Sequence, residues 1–501
     1  MQELDKIYSV QKEIFILKYV LDLLDWDMQT YMPKDSAEAR ADQIAYLSKL
    51  IHEKMTSKEL LESIKVLMEP KTFSKLKRKD MIVIDRLNKD VEKERKLPTS
   101  FVEELSRATS MAFVAWQKAK KKSDFKIFQP HLEKIVELKR KEASYINLPG
   151  HPYNSLVDTF EEGMTTEKLS KKFEKLKEEL VILLKKIKKS KTYKTRKNKI
   201  RKSRFPSNIQ RNVSDDLIKL VNLPSSKSRL DTSAHPFTTD IGPEDVRITT
   251  NFLEENPASA IFSTVHEAGH ALHGLGSPKN YENTVIFDSP SYGLSESQSR
   301  FWENMVARNI LFWKYYFKFL KKKFKKQLKG VSLEQWYNHV NNVKPSLIRI
   351  EADEVTYCLH VIMRFEIETG LIEGSIKVKD LPKIWNKKMK EMLGVRPKND
   401  RDGVLQDVHW CQGYFGYFPS YAIGTIYAAQ LFDKLSKDHP EIKKQIQRGD
   451  LSFILQWLRK NVHSYGKTMG ADDVIKKTCG EGLNIDVYID YLTKKYLKIY
   501  K

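Results

Sequence analysis

The 501-residue chain is poor in the residues that build disulfide-linked or turn-rich folds. Its three cysteines, Cys358, Cys411 and Cys479, are too few for a disulfide framework and lack the close pairing of a thiolate zinc site. Glycine, at 20 residues, and proline, at 18, both fall below ordinary usage, which argues against a β-sandwich. We therefore expect a protein of a reducing compartment, the cytoplasm.

Long apolar runs are also missing. The longest one near the N-terminus, residues 14–24, is short and contains Lys18 and Asp22. The first residues, MQELDKIY, lack the basic start and apolar stretch of a secretion signal. We expect neither a leader peptide nor a membrane partner.

Acidic residues are outnumbered, since 65 Asp and Glu oppose 88 Lys and Arg and give a net charge of +23. Residues 185–204 hold 12 basic residues, no acidic one and a single aromatic, Tyr193, so they offer no stacking surface to single-stranded nucleic acid. We expect a solvated basic loop there, with a polyanion-binding loop as the alternative. No nucleic-acid partner is expected for the chain.

Helical periodicity dominates the parts of the chain where a period is visible. From Leu169 to Ile187 the apolar residues recur every three or four positions, and residues 1–60, 99–120, 128–146, 294–328, 331–345 and 377–393 show similar spacing. Strand-like alternation is scarce, and its best candidate is residues 246–250. The sequence predicts a mainly α fold with a small β element. We expect one domain over 1–501, with a helical part to about 185, a basic surface segment over about 185–230, and a metal-site part over about 231–501.

The segment IFSTVHEAGH contains a His-Glu-x-x-His pattern. On a helix, His266 and His270 lie one turn apart and face the same side, where both imidazoles can bind one zinc ion. Glu267 follows the first histidine, and its carboxylate can take a proton from an attacking water. The alternative, that these histidines are ordinary core or surface residues, stays open on this pattern alone.

A catalytic zinc site needs a third protein ligand and one open position. The candidate is Glu296, in the segment GLSESQSRFWEN. Glu303 lies seven residues further on, on roughly the same helical face, and is the alternative ligand or an outer partner of a ligand.

Several segments in the same order resemble the carboxypeptidase Taq, or M32, family of zinc carboxypeptidases. In that family 25 residues separate the second histidine from the glutamate, as residues 271–295 do here. The matching segments are LDWDMQTYMP (24–33), HPF (235–237), DVRIT (245–249), IRIEAD (348–353), GVLQDVHW (403–410) and GYFGYFPSYAIGTIYAAQ (413–430). The resemblance implies a large helical gluzincin metallopeptidase, similar to neurolysin and angiotensin-converting enzyme, with a deep cleft.

The resemblance also implies roles for residues outside the metal site. His409, Tyr417 and Tyr421 are the candidate donors to the oxyanion, although the tyrosines, with Tyr414, could equally be core aromatics. Arg247 and Arg349 are the candidates for binding the substrate carboxylate, because a guanidinium suits it, and for Arg349 an ion pair with the following acidic residues is the alternative. Two further candidates lie in matching motifs, namely His235, which could instead be a turn residue, and Thr249.

Two departures from the family pattern stand out. Ser295 occupies the position just before the glutamate ligand, where the family usually has histidine, and this puts one family contact in doubt. The basic block at 185–204 is richer in charge than the family's corresponding region.

The resemblance favours a carboxypeptidase with one Zn²⁺ per chain, acting on peptides with a free C-terminal carboxylate and forming a homodimer. Co²⁺ and Mn²⁺ remain open as the native metal. The alternatives are a zinc dipeptidase or endopeptidase with the same metal site, and a basic, non-enzymatic RNA-associated helical protein.

Overall fold

The computed structural model describes residues 2–195, 200 and 203–501, so part of the basic block lies outside the described residues. The fold is mainly helical, as predicted. The helices of the N-terminal part are α1 (Gln2–Thr30), α2 (Ala37–Met55), α3 (Lys58–Met68), α4 (Pro70–Phe73), α5 (Arg78–Glu94), α6 (Thr99–Lys122), α7 (Gln129–Ile146), α8 (Asn154–Val157), α9 (Thr166–Lys189), α10 (Lys191–Thr195) and α11 (Ser207–Leu220).

The predicted small β element is a three-stranded sheet formed by β1 (Ser228–Thr232), β2 (Thr238–Gly242) and β3 (Asp245–Thr250). The strand order is β1-β3-β2, with β1 parallel and β2 antiparallel to the central β3. Strand β2 therefore forms one edge of the sheet. Its pairing is irregular between Asp240 and Gly242, and such irregularities re-aim side chains and are frequent beside active sites.

The metal-site part continues with a second set of helices. They are α12 (Pro257–Gly274), α13 (Tyr292–Arg300), α14 (Ile310–Lys323), α15 (Leu333–Val340), α16 (Tyr357–Glu373), α17 (Leu381–Leu393), α18 (Phe418–Asp438), α19 (Ile442–Arg448), α20 (Ser452–Asn461), α21 (Ala471–Cys479) and α22 (Ile485–Ile499). The helical period predicted over 294–328 is interrupted by a π-helical segment, Phe301–Ala307. Such segments occur mostly as single-turn bulges within α-helices and are frequent at functional sites.

Helix α13 packs closely against both α12 and α18 because glycine lies at each contact. A Cβ atom at Gly269 of α12 would lie 2.7 Å from the backbone of Gln298, and one at Gly424 of α18 would lie 2.7 Å from the Cβ atom of Glu296. These two glycines allow three helices to approach one another around the base of the cleft.

One large apolar cluster extends from Ala112 to Tyr500, and a smaller one joins α1, α3 and α5. The segment predicted as basic surface, about 185–230, lies only partly at the surface. Ile187 and Leu217 are buried in the large cluster, because α9 and α11 are amphipathic helices that turn their lysines to solvent. None of the helices in the described part of the chain combines the length and apolarity that crossing a membrane requires.

Candidate active site

Helix α12 carries the His-Glu-x-x-His segment along the base of the cleft. Pro257 occupies its first turn, where a missing amide hydrogen costs nothing, and its buried face is apolar. One helical turn brings the rings of His266 and His270 to a centroid distance of 5.2 Å. The histidines of the predicted pair therefore face the same side.

Helix α13 brings Glu296 to these histidines. Its Oε2 atom lies 3.6 Å from Nε2 of His266 and 3.4 Å from Nε2 of His270. One ligand atom from each of the three residues lies within 4.8 Å of the other two. Two imidazole nitrogens and one carboxylate oxygen form the donor set typical of a catalytic metal site.

The outer nitrogen of each histidine is held by a polar neighbour. Nδ1 of His266 donates to Oε2 of Glu303 at 2.9 Å, and Nδ1 of His270 lies 3.1 Å from the hydroxyl of Ser295. These contacts orient both rings so that Nε2 faces Glu296, which fits a bound metal ion. Ser295, the departure from the family pattern, thus contacts a candidate ligand directly.

Two arginines hold the buried carboxylates of α13 and the π-helical segment. Nε of Arg300 donates to Oε1 of Glu296 at 2.6 Å, and Arg308 pairs with Glu303 at 3.0 Å. Burial opposes ionisation of both carboxyls, but the nearby guanidinium groups outweigh it and hold the pKa of Glu296 and of Glu303 well below the usual range. Both groups are therefore carboxylates at neutral pH.

Thr238 of the edge strand β2 orients Glu267. Its hydroxyl donates to Oε2 of Glu267 at 2.6 Å and lies 3.0 Å from the backbone carbonyl oxygen of the same residue. Sequence reasoning missed Thr238, although it directly follows the HPF segment. The contact depends on how the sheet is placed against α12, which no local pattern reveals.

His409, Tyr417 and Tyr421 lie together at the start of α18. Nε2 of His409 is 3.2 Å from the Tyr421 hydroxyl, and the two tyrosine rings meet edge to face at 5.1 Å. Burial, followed by the nearby Arg349, lowers the pKa of His409 to about 3, so the ring is neutral. Burial raises the pKa of Tyr421, whose phenol therefore keeps its proton. All three side chains can donate hydrogen bonds at neutral pH.

Arg349 belongs to a buried charged network behind these aromatics. Its Nε atom donates to Oδ1 of Asp407 at 3.1 Å, while Arg364 reaches Oδ2 of the same carboxylate at 2.5 Å. The Arg349 guanidinium also lies 4.8 Å from the ring centre of Tyr421. Arg349 thus forms an ion pair with Asp407 rather than with the acidic residues that follow it in the sequence, and its substrate-binding role stays a prediction.

The remaining predicted residues lie apart from the metal centre. Arg247 is paired with Asp245 and lies over the ring of Trp26 at 5.1 Å. Thr249 is fully buried and its hydroxyl accepts a hydrogen bond from the Phe237 amide at 2.9 Å. His235 is exposed on the segment before β2. Among the described residues these three do not line the central cavity, and neither do Arg349 and His409, which lie behind Tyr421. The substrate-binding role predicted for each of the three stays a prediction.

A cavity of about 440 Å³ opens above the candidate metal site. At one end it is lined by the site itself with Glu267, Tyr417 and Tyr421. At the other end it is lined by side chains that sequence reasoning did not single out, among them Asp240, His273 and Asp288.

Comparison with known proteins agrees with this site. A sequence model of the carboxypeptidase Taq (M32) metallopeptidase family matches residues 6–496. The chain belongs to the M32 family. It is 39% identical to carboxypeptidase 1 of Bacillus subtilis, with 99% of each chain covered, and 37% identical to thermostable carboxypeptidase 1 of Thermus thermophilus, with 99% of this chain and 98% of the other covered.

Solved structures of similar proteins have the same fold. The M32 carboxypeptidase of Deinococcus radiodurans superposes with a TM-score of 0.95 at 34% identity over all of both chains. Metallocarboxypeptidase 1 of Trypanosoma cruzi gives a TM-score of 0.94 at 31% identity over 99% of each chain. The predicted family, fold class and type of enzyme, a metallocarboxypeptidase, are confirmed.

Family membership also has consequences for cofactor and substrate. A metallopeptidase implies a divalent metal ion, and the group formed by His266, His270 and Glu296 fits one. A carboxypeptidase family implies peptide substrates.

Proposed function

We propose that this M32 enzyme is a zinc carboxypeptidase that releases single amino acids from the free C-terminus of peptides, with His266, His270 and Glu296 as the metal ligands. The observation that carries the proposal is the convergence of two Nε2 atoms and one carboxylate oxygen beside Glu267. Two imidazoles and one carboxylate are a zinc donor set, although Co²⁺ and Mn²⁺ accept similar ligands.

Glu267 acts as the general base. When bound, the metal ion polarises the scissile carbonyl and lowers the pKa of the attacking water toward about 7. Glu267 accepts a proton from that water and passes it to the leaving amine. The Thr238 hydrogen bond to Oε2 holds this carboxylate in one orientation, which leaves Oε1 for the proton.

His409, Tyr417 and Tyr421 stabilise the negative charge that develops on the carbonyl oxygen. Neutral imidazole and phenol groups donate hydrogen bonds without bringing a competing charge into the cleft. The contact between His409 and Tyr421 supports a joint role, because each fixes the orientation of the other.

Arg349 binds the substrate carboxylate and so confines cleavage to the C-terminus. Arg349 and Arg364 share the single carboxylate of Asp407, which leaves this buried network with one positive charge in excess. A free carboxylate compensates that charge, whereas the neutral carbonyl of an internal or amidated bond does not.

The native assembly and location are further parts of the proposal. The three cysteines are free, which supports a reducing compartment such as the cytoplasm. The homodimer is inferred from the family resemblance, and light scattering of the purified enzyme tests it, with the mass of a single chain, 58.6 kDa, contradicting it.

The experiment that tests the function combines metal analysis with timed release of amino acids. We expect about one zinc per chain and stepwise release from a free-acid peptide, with little release from the same peptide carrying a C-terminal amide. Cleavage of both peptides at equal rates would instead indicate an endopeptidase. Release of intact dipeptides from the C-terminus would indicate a dipeptidase.

A further inference from the structure

The cleft continues past the metal centre to a second group of polar side chains. Thr238 and Asp240 are two residues apart on β2, and alternate residues of a strand share a face. Thr238 bonds Glu267, so Asp240 faces the same cavity, which it lines with His273 and Asp288.

Gly274 leaves room for the Asp240 carboxylate. A Cβ atom at position 274 would lie 2.7 Å from both carboxylate oxygens, so the carboxylate rests directly on the last turn of α12. Gly274 is seven residues beyond Glu267 on that helix, which corresponds to about 10 Å at 1.5 Å per residue. The carboxylate therefore lies about 10 Å along the helix from the general base.

Asp240 has negative neighbours and, among the described residues, no cationic partner. Its side chain makes no hydrogen bond or ion pair with any described residue, whereas Asp288 pairs with Lys467 at 3.1 Å. Asp240 is exposed to the cleft, and desolvation there, followed by the charges of Asp288 and Asp22, raises the pKa of its carboxyl group. A cationic ligand would relieve this unfavourable charge.

His273 provides an independent sign that this end of the cleft takes a ligand. Its side chain is only 7% exposed, yet it lines the cavity and hydrogen-bonds to none of the described residues. Its ring packs against that of His463 at 5.0 Å, which fixes its orientation. The ring borders the cavity, and a neutral imidazole nitrogen accepts a hydrogen bond from an ammonium group.

We propose that Asp240 and His273 form a subsite for a cationic group of the substrate, upstream of the scissile bond. The inference rests on the proposed function, because it takes the substrate carboxylate to lie at the Arg349 end of the cleft. At about 3.3–3.6 Å per extended residue, a span of 10 Å is about three residues. The subsite thus suits the α-ammonium group of a short peptide or the side chain of an upstream lysine or arginine.

The test compares matched peptides that differ by one positive charge. The first pair is Ala-Ala-Ala-Phe with a free N-terminus and the same peptide with an acetylated N-terminus. In the second pair both peptides are acetylated, and the residue before the scissile bond is lysine in one and norleucine in the other. For each pair kcat/KM is measured with the metal-loaded wild type, with Asp240→Asn, and with Asp490→Asn as a control, since Asp490 lies exposed on α22.

We expect the wild type to prefer the charged member of at least one pair by about fivefold or more. Asp240→Asn should reduce that preference below about twofold, and Asp490→Asn should keep it. The pair that shows the effect identifies the source of the cation. If Asp240→Asn does not fold, Gly274→Ala replaces it, because the added Cβ displaces the same carboxylate and should reduce the preference likewise.

Two results would overturn the subsite while leaving the proposed function intact. One is a wild type that releases phenylalanine equally from both members of both pairs. The other is an unchanged preference in the folded Asp240 or Gly274 variant. A metal-loaded wild type that releases no amino acid from any of these peptides would contradict the proposed function itself.

Discussion

The metal centre and the buried arginine network behind His409 differ in the balance of their charges. At the metal centre, carboxylates outnumber the arginines that hold them, whereas behind His409 two arginines share one carboxylate. Glu296 and Glu303 pair with Arg300 and Arg308, and Glu267, which Thr238 holds, is a third carboxylate of this region, so three carboxylates accompany two guanidinium groups. Behind His409, Arg349 and Arg364 share Asp407 as their one carboxylate partner among the described residues. The first region keeps one negative charge in excess and the second keeps one positive charge.

This difference shows that buried charge alone does not reveal what a site binds. Each region is a tight network of charge-assisted hydrogen bonds, and either could be read as purely structural. The sign of the excess charge separates them, because the metal centre suits a cation and the arginine network suits an anion. The following variants change one region at a time.

The largest effect is expected from Glu267→Gln. The three candidate ligands are unchanged, so the metal content should match the wild type, while kcat should fall by about a thousandfold because the proton acceptor is lost. His270→Ala is the matched variant and should lose both metal and activity. Metal-to-protein ratios and kcat are measured for both. A Glu267→Gln enzyme with a tenth of the wild-type rate would refute the general-base role.

Arg349→Ala tests the other region. The kcat/KM for a free-acid peptide should fall by about 100-fold and that for the matched amide by much less, because only the free acid loses a charged partner. Arg247→Ala is the comparison, since Arg247 is paired with Asp245 and lies over Trp26, whereas Arg349 contacts Tyr421 of the cavity wall. If both variants keep the wild-type ratio of free acid to amide, another group binds the carboxylate.

The sequence predicts the metal centre better than the arginine network because its pattern is local. The spacing of His266 and His270 fixes their common face on one helix, and the family pattern locates Glu296. Arg349 pairs with Asp407, which lies 58 residues further along the chain and also binds Arg364, so this network appears only in the folded chain.

The same limit applies to the segment at about 185–230, part of which is buried. Its many lysines hide an amphipathic pattern, in which Val213 and Leu217 of α11 are buried. Thr264 of α12 donates a hydrogen bond to Ser214 of α11 at 2.9 Å, which ties this segment to the helix of the metal site. Composition indicated a surface excursion, whereas the apolar residues Ile187, Val213 and Leu217 lie in the core.

A smaller effect is expected from Ser295→Ala at the metal centre. Loss of the hydroxyl removes the neighbour of His270 Nδ1, and outer contacts of this kind typically contribute about tenfold to metal affinity. Ser295→Thr keeps the hydroxyl and should bind metal like the wild type. Competition with a chelator measures the dissociation constant of the metal for each variant. Equal constants for all three proteins would show that Ser295 does not orient His270.

The smallest effect is expected from neutralising lysines remote from both regions. Lys185, Lys186, Lys189, Lys191 and Lys194 are exposed at the end of α9 and in α10, and exposed charges at a distance are screened by salt. Replacing all five with glutamine should leave kcat/KM for a neutral peptide within about twofold. Lys188 is left in place, because its ammonium group donates to the carbonyl of Leu393 at 3.1 Å. A decrease in kcat/KM beyond about fivefold, with the melting temperature unchanged, would mean that this basic surface takes part in turnover. The metal centre and the arginine network would then not account for the activity alone.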